Sequence, residues 1–516
     1  MKRLMMVMGS ATLILLMHTA SPDTTVVVIG KPVRSLPQAF LGASDWWVGP
    51  YAKGGEESKK ESLDITGKMG LSFARLRGGS QGQINVSFPE PKLFNRTAAD
   101  RDPHIEFAKA LGVTMMEQIP AEGTDGDVVK YALDMIHWTN EVKRYGVLYW
   151  EIGNEQYSLS PEHIRFFGGD PRPPTEEEIK QGKVYWTAGT WARRVLLIAK
   201  AIKERYPHLK VVANGWCYSR AGGGLHDKYS PAWNRAILEV ANNYIDGLEV
   251  HEYLWGSKYK GVLDDYYNYC EWAQSSEGAS QVRALIDRYG KTQQLIIGEC
   301  NIMFGKHHVD GTIAYAPMWH TMAHAIVLAD FLGRLFSTGA DVIAIHTLAH
   351  VPSSLWSWRY PTGKPYDRSG PVDGGVATGF VATPAYYAVQ MFGQRWGRTV
   401  LSVDVSEPGE IASGIHQVRA YASRQGKRLY LLLLNCSPTT EVRSVTVRFP
   451  YKVQLVSKWT LTGRSLEDSA WLEPMTPECH PNPQRPVPVK ESLSQHGRTF
   501  IFDLPAHALM SIECEV

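Results

Sequence analysis

Short apolar runs rich in β-branched residues recur between about residues 40 and 390, separated by longer stretches with helical spacing, which is the pattern of βα units repeated around a parallel sheet. The runs are Ala39 to Ala43, Ser72 to Leu76, Thr114 to Ile119, Leu148 to Ile152, Lys210 to Ala213, Gly247 to His251, Leu295 to Gly298 and Val342 to His346. Between them, Ala188 to Glu204 sets Val195, Leu196, Ile198, Ala199 and Ile202 against Arg and Lys on the other face, and Met318 to Phe336 reads similarly. These units predict an α/β fold, a (β/α)8 TIM barrel over residues 36–392.

Beyond Gly393 the pattern changes to alternating segments: Val418 to Ala422, Arg428 to Leu434, Val442 to Phe449, Val453 to Thr462, Thr499 to Leu504 and Ala508 to Glu513. Their turn-residue spacing predicts a C-terminal antiparallel β-sandwich over 393–516, which the strand Thr24 to Ile29, within 22–35, is expected to join. Pro474 to Pro488 reads as an ordered excursion within it.

A chain of 516 residues suits a barrel with one accessory domain. With 54 basic against 52 acidic residues, there is no basic field for nucleic acid and no acidic tail for a cationic partner, so a neutral partner is expected. The 16 Trp and 24 Tyr suit a carbohydrate, whose C–H faces stack on aromatic rings. Met1-Lys-Arg3 followed by an apolar stretch to Met17 and small residues near Ala20 reads as a signal peptide over 1–21, predicting a secreted or periplasmic protein with no membrane contact after its removal. Six scattered Cys show no metal spacing and no pairing is assigned. His320 and His324 lie at helical spacing without the Glu of an HExxH motif, and His307-His308 stands apart, so no metal and no cofactor is expected. Asn85, Asn95 and Asn435 open Asn-x-Ser/Thr triplets.

The C-terminal ends of barrel strands converge on one opening, so polar residues ending several runs become neighbours there. Glu155 follows the fourth run and Glu299 the seventh, and two carboxyls at one opening are what cleavage of a glycosidic bond requires. Asn154 is placed to hydrogen-bond a sugar hydroxyl, Tyr253 and His251 end the sixth run, and Arg75 ends the second with a fixed charge that keeps Glu299 ionised. Gly298 removes a side chain where substrate approaches. Trp46, Trp47, Tyr157, Trp216, Trp255 and Trp356, at or beyond strand ends, are candidates for a sugar platform, with core packing as the alternative for each.

Arg75-Leu-Arg-Gly-Gly79 resembles the Arg-x-Pro-Gly-Gly stretch of glycoside hydrolase family 51, within clan A of the retaining glycosidases. Trp150-Glu-Ile-Gly-Asn-Glu155 resembles its acid/base motif and Glu299-Cys-Asn301 its Glu-Trp-Asn nucleophile motif, in family order. Thr383-Pro-Ala-Tyr-Tyr387 and Leu461-Thr-Gly-Arg-Ser-Leu466 resemble segments entering and crossing that family's C-terminal sandwich. The resemblance implies a retaining, exo-acting α-L-arabinofuranosidase of the same fold, with Glu155 as acid/base and Glu299 as nucleophile, no cofactor, and a homo-oligomer possible. The chain departs at Arg77 for Pro, Cys300 for an aromatic residue and Gln156-Tyr157 for Met-Asp, positions read as bordering the sugar. A β-xylosidase or endo-glucanase of the clan, and a non-catalytic carbohydrate-binding protein, stay open as alternatives. A retaining enzyme requires the two carboxyls about 5 to 5.5 Å apart.

Overall fold

A computed structural model describes residues 25–44, 55–76, 98–121, 123–161, 186–216, 225–256, 262–304, 307–309, 312–314, 318–348, 355–359, 378–472 and 481–516. Residues 1–21, where the sequence predicts a signal peptide, lie outside these residues, as do Trp46, Trp47, Arg77, Asn85, Asn95, Cys217 and Cys479.

Eight parallel strands close into a barrel: Leu41–Ser44, Phe73–Arg75, Thr114–Ile119, Tyr149–Ile152, Lys210–Asn214, Gly247–Gly256, Gln294–Phe304 and Val342–Ile345, the last pairing back to the first. Each of the eight apolar runs supplies one of them. The sixth and seventh are longer than the runs, staying paired as far as Gly256 and Phe304. Their apolar signal stops early because polar residues such as His251, Tyr253 and Glu299 take over the inner face while the backbone ladder continues.

Side chains on a strand alternate between its two faces, so the barrel interior fills in layers. Phe73, Met116, Tyr149, Val212, Ile296, Val342 and Ala344 form an apolar plug separate from the larger core beneath the helices. Two positions further along their strands stand Arg75, Gln118, Glu151, Asn214, Gly298 and His346. The chain thus stacks a charged layer directly on an apolar floor, and Arg75, Gln118, Glu151 and Asn214 are all buried there.

Glu252 alternates to the outer face of the sixth strand, buried against helix Gly278–Tyr289, where Ser276 Oγ donates to it. Burial pushes its carboxyl up to about 7, against the opposing pull of Ser276 and Arg334. A carboxyl raised on folding contributes stability that is complete below the unfolded value of about 4.3 and lost as pH rises through the folded one. Glu252→Gln is therefore expected to leave stability nearly unchanged at about pH 4 and to raise it at about pH 8, on the order of 3 kcal/mol. Calorimetric midpoints at the two pH values test this, and an equal midpoint for both proteins at the higher pH refutes it.

In the C-terminal sheet, neighbours run Val26–Ser35, Thr399–Ser406, Val418–Gln425, Arg428–Asn435, Ala508–Glu515 and Val442–Leu461, all antiparallel, and the last pairs back in parallel to Val26–Val28, closing a ring. Where the alternation suggests two strands, Val442 to Phe449 and Val453 to Thr462, one strand of 20 residues runs through. Its register with His496–Leu504 breaks between Arg448 and Val453, around Pro450, which lacks an N–H for the ladder. Thr399–Ser406, whose outer face is largely exposed, escapes the sequence reading altogether.

Arg428–Asn435 is apolar on both faces for a physical reason. Leu429, Leu431 and Leu433 fill the core of the ring, while Leu432 and Leu434 join the main core with Tyr421, Leu461 and Leu509. That main core centres on helix Met322–Thr338, buried nearly all round, as a helix enclosed by two layers must be. Its Asp330 accepts from Tyr421 Oη at 2.5 Å and Arg419 Nε at 3.1 Å, and Gly333 leaves room for the Tyr421 ring. Asn435 is buried, its amide donating to the carbonyls of Thr440, Leu504 and Pro505, so its triplet is a structural site rather than a glycan acceptor. Cys270, Cys300, Cys436 and Cys514 are buried free thiols. Among the described residues no helix is long and apolar enough to cross a membrane.

Candidate active site

The fourth strand ends at Ile152, and the chain then turns through Gly153 at φ 79° and Glu155 at φ 55°. The left-handed region is unfavourable for a residue with a Cβ, by about 1–3 kcal/mol, and persists only where surroundings hold it. Here Gln156 holds it: its Oε1 accepts from Asn154 N at 2.5 Å and its own N donates to Asn214 Oδ1 at 3.3 Å. A Cβ on Gly153 would stand 2.7 Å from the Trp191 ring, so the turn needs glycine. The result lifts the Glu155 carboxyl into the barrel opening, 29% exposed.

The seventh strand delivers Glu299 by another device. Val250 pairs with Ile297 and His251 with Glu299, so Gly298 is the extra residue of a β-bulge that re-aims the side chain after it. A Cβ there would lie 1.8 Å from Glu249 Oε1, so the space left by Gly298 is filled by Glu249 and not by substrate, correcting the sequence reading. Gly298→Ala must displace a fully buried carboxylate, with an expected loss of about 1–3 kcal/mol. Urea unfolding measures it, and an unchanged midpoint contradicts the packing described.

The two carboxylates meet. Oxygens of Glu155 and Glu299, with His251, lie within 4.8 Å of one another. Arg75 is the hub beneath them: Nη1 donates to Glu299 Oε1 at 2.7 Å, Nε and Nη2 to Glu151 at 2.7 and 2.9 Å, and Nη2 also to Asn154 Oδ1 at 2.7 Å. Tyr253 Oη donates to Glu299 Oε2 at 2.5 Å. Burial alone would raise the Glu299 carboxyl, but His251, His346, Arg75 and the Tyr253 hydroxyl hold it well below the usual carboxylate range. It is an ionised, oriented anion.

Glu155 sits among different neighbours. Its Oε1 accepts from Tyr157 Oη at 2.9 Å and faces His251 Nδ1 at 2.8 Å. His251 Nδ1 is also 3.5 Å from Glu299 Oε2, so one ring touches both carboxylates.

The other candidate residues divide. Arg75, Asn154, His251 and Tyr253 all come together around the acidic pair. Trp216 does not form an open platform: it is buried, its faces stacked on Tyr157 at 5.2 Å and Tyr229 at 6.4 Å. Its contribution is to back the ring of Tyr157. Cys300 is buried in the core on the helix side, paired in register with Glu252, and does not border the opening. Trp255 and Trp356 lie on strands, but their side chains, like Trp46 and Trp47, are outside the described set. His324 serves packing: burial lowers it to about 3, and its Nε2 meets Asn301 Oδ1 at 2.8 Å.

Sequence reading missed Gln118, Glu151, Asn214, Glu249 and His346. Glu151 is pushed by burial up to about 7 in spite of Arg75, while Gln118 reaches both Glu151 and Asn154 at 3.4 Å. Asn214 Nδ2 donates to Glu249 Oε2 at 2.6 Å, and His346 Nδ1 lies 3.2 Å from Ser44 Oγ and 4.0 Å from Glu299. For Gln118, Glu151, Asn214 and His346 the signal is position, since each falls two residues past an inward apolar neighbour on its own strand, whereas Glu249 follows Gly247 and has no such marker.

No protein-family model matches the sequence, and no curated protein matches it. Solved structures do. An α-L-arabinofuranosidase from Thermotoga maritima in complex with arabinose is 18% identical, superposes with a TM-score of 0.67, and is matched over 96% of this chain and 100% of its own. A family 51 α-L-arabinofuranosidase from Bifidobacterium longum is 16% identical, with a TM-score of 0.67 and coverage of 96% and 99%. A family 30 endoxylanase from Clostridium papyrosolvens is 14% identical, with a TM-score of 0.54 and coverage of 96% and 100%. The chain has the fold of the clan A glycosidases in a divergent form like that of family 51.

Proposed function

We propose that the protein is a retaining glycoside hydrolase, an exo-acting α-L-arabinofuranosidase working by double displacement. One observation carries this reading: two carboxylates within 4.8 Å at a single barrel opening, with different partners. An oxygen of each carboxylate this near the other favours the retaining arrangement, with carboxyl groups about 5–5.5 Å apart, over an inverting pair, which stands about 6.5–9.5 Å apart to admit water. Glu299, ionised and held by Arg75 and Tyr253, is the nucleophile. Glu155 is the acid/base.

In the first step a Glu299 oxygen bonds to the anomeric carbon while the bond to the leaving oxygen breaks, and Glu155 gives its proton to that oxygen. Tyr157 Oη donates to Glu155 Oε1 and His251 Nδ1 faces the same oxygen, so the transferable proton belongs on Oε2. In the second step Glu155 takes a proton from water, the water oxygen bonds to the anomeric carbon, and Glu299 leaves. The arabinofuranoside preference rests on the family 51 motifs and on the arabinofuranosidase structures it superposes on. With residues 1–21 read as an export signal, the matching substrates are plant-type polysaccharides or oligosaccharides outside the cytoplasm.

The test is a panel of nitrophenyl glycosides, furanosides included, followed by NMR of the first-formed anomer. Release of arabinose with retained configuration is expected. An inverted product, or no turnover on any glycoside, overturns the reading.

A further inference from the structure

Glu249 takes no part in the steps above, yet it is fully buried one layer beneath them. Its Oε2 accepts from Asn214 Nδ2 at 2.6 Å, and its Oε1 lies 2.9 Å from His251 Nε2, off the N–H axis, and 3.8 Å from Arg75 Nε. The opposite nitrogen of the same ring faces Glu155 and Glu299. The Gly298 bulge is shaped around this carboxylate, since any Cβ there would overlap it.

A neutral imidazole carries one N–H, so a ring with carboxylates at both nitrogens satisfies both only as imidazolium. The groups around it come from five strands or their ends: Glu249 and Tyr253 from its own, Arg75 from the second, Glu151 and Glu155 from the fourth, Glu299 from the seventh and His346 from the eighth. Burial opposes the ring's charge, but Glu249 and Glu299, aided by the contact with Glu155, hold it well above the ordinary histidine value.

Resting on the hydrolase reading, we propose that Glu249 is a positioning residue: it holds His251 in the form that donates from Nδ1 to Glu155, and so decides which oxygen of Glu155 carries the catalytic proton. Without this anion the ring becomes neutral and is free to keep its hydrogen on Nε2. Nδ1 then turns acceptor and draws the Glu155 proton onto Oε1, away from the leaving group. The first step loses its acid while the nucleophile remains.

Glu249→Gln preserves shape and tests this with two aryl glycosides of the sugar the wild type accepts. On the phenyl glycoside, whose departure needs a proton, kcat is expected to fall about 100-fold with KM little changed. On the dinitrophenyl glycoside, which departs unaided, kcat is expected to stay within about threefold. Equal losses on both, or none on either, overturn the proposal. NMR of ¹⁵N-histidine-labelled protein is an arm that needs no substrate: His251 is expected doubly protonated at neutral pH in the wild type and singly protonated in Glu249→Gln, and the same state in both proteins refutes the role of Glu249. A wild type inactive on every glycoside refutes instead the hydrolase reading, and the two failures are told apart.

Discussion

Glu299→Ala is expected to lower turnover of an aryl arabinofuranoside about ten-thousandfold, a barrier increase of roughly 5 kcal/mol, with the fold intact. The carboxylate is 16% exposed and faces the opening, so its removal leaves space that water can fill. Glu155→Ala separates the two roles. With a dinitrophenyl leaving group the first step proceeds without an acid, and the glycosyl enzyme accumulates because no base activates water. Azide, which needs no base, is then expected to restore turnover and yield a glycosyl azide of retained configuration. Rescue of Glu299→Ala instead, giving the inverted azide, would exchange the two assignments.

Arg75→Met is expected to destabilise the fold by about 3–5 kcal/mol, because it strips the shared cation from buried carboxylates that packing holds in place. The loss depends on pH in a definite direction. Glu151, already pushed up to about 7, rises further when its guanidinium partner is gone. A carboxyl raised on folding contributes stability below its unfolded value and loses it as pH climbs, so the deficit should be larger at about pH 8 than at about pH 5. Denaturant midpoints at both values check this. Arg75→Lys should recover only part of the loss, since one ammonium cannot donate to Glu151, Asn154 and Glu299 in the fork geometry. A deficit that is absent, or the same at both pH values, contradicts this account.

How far the sequence discloses this site depends on where each residue interrupts its strand. Glu155 and Glu299 are legible because each closes an apolar run, and Arg75, His251 and Tyr253 because they sit at the ends of others. Glu151 and Glu249 are not, because they stand inside the runs, where a lone acid looks like a defect in a hydrophobic strand. Only with the barrel closed does Arg75 appear between them. Trp216 fails for the complementary reason: its position beyond a strand end suits a sugar platform, and only the packed structure shows Tyr157 and Tyr229 on its faces. The barrel is readable from its periodicity, whereas the long strand Val442–Leu461 reads as two because Pro450 interrupts a pattern that the backbone carries through.

Helix Met322–Thr338 belongs equally to both halves of the molecule, with strands of the barrel on one side and Tyr421, Leu432 and Leu509 on the other. The carboxy-terminal unit therefore acts as outer cladding rather than as a detachable module. Trimming the chain near residue 395 would lay bare a greasy column at the heart of the barrel half, and heating the intact protein should melt both halves in one cooperative event.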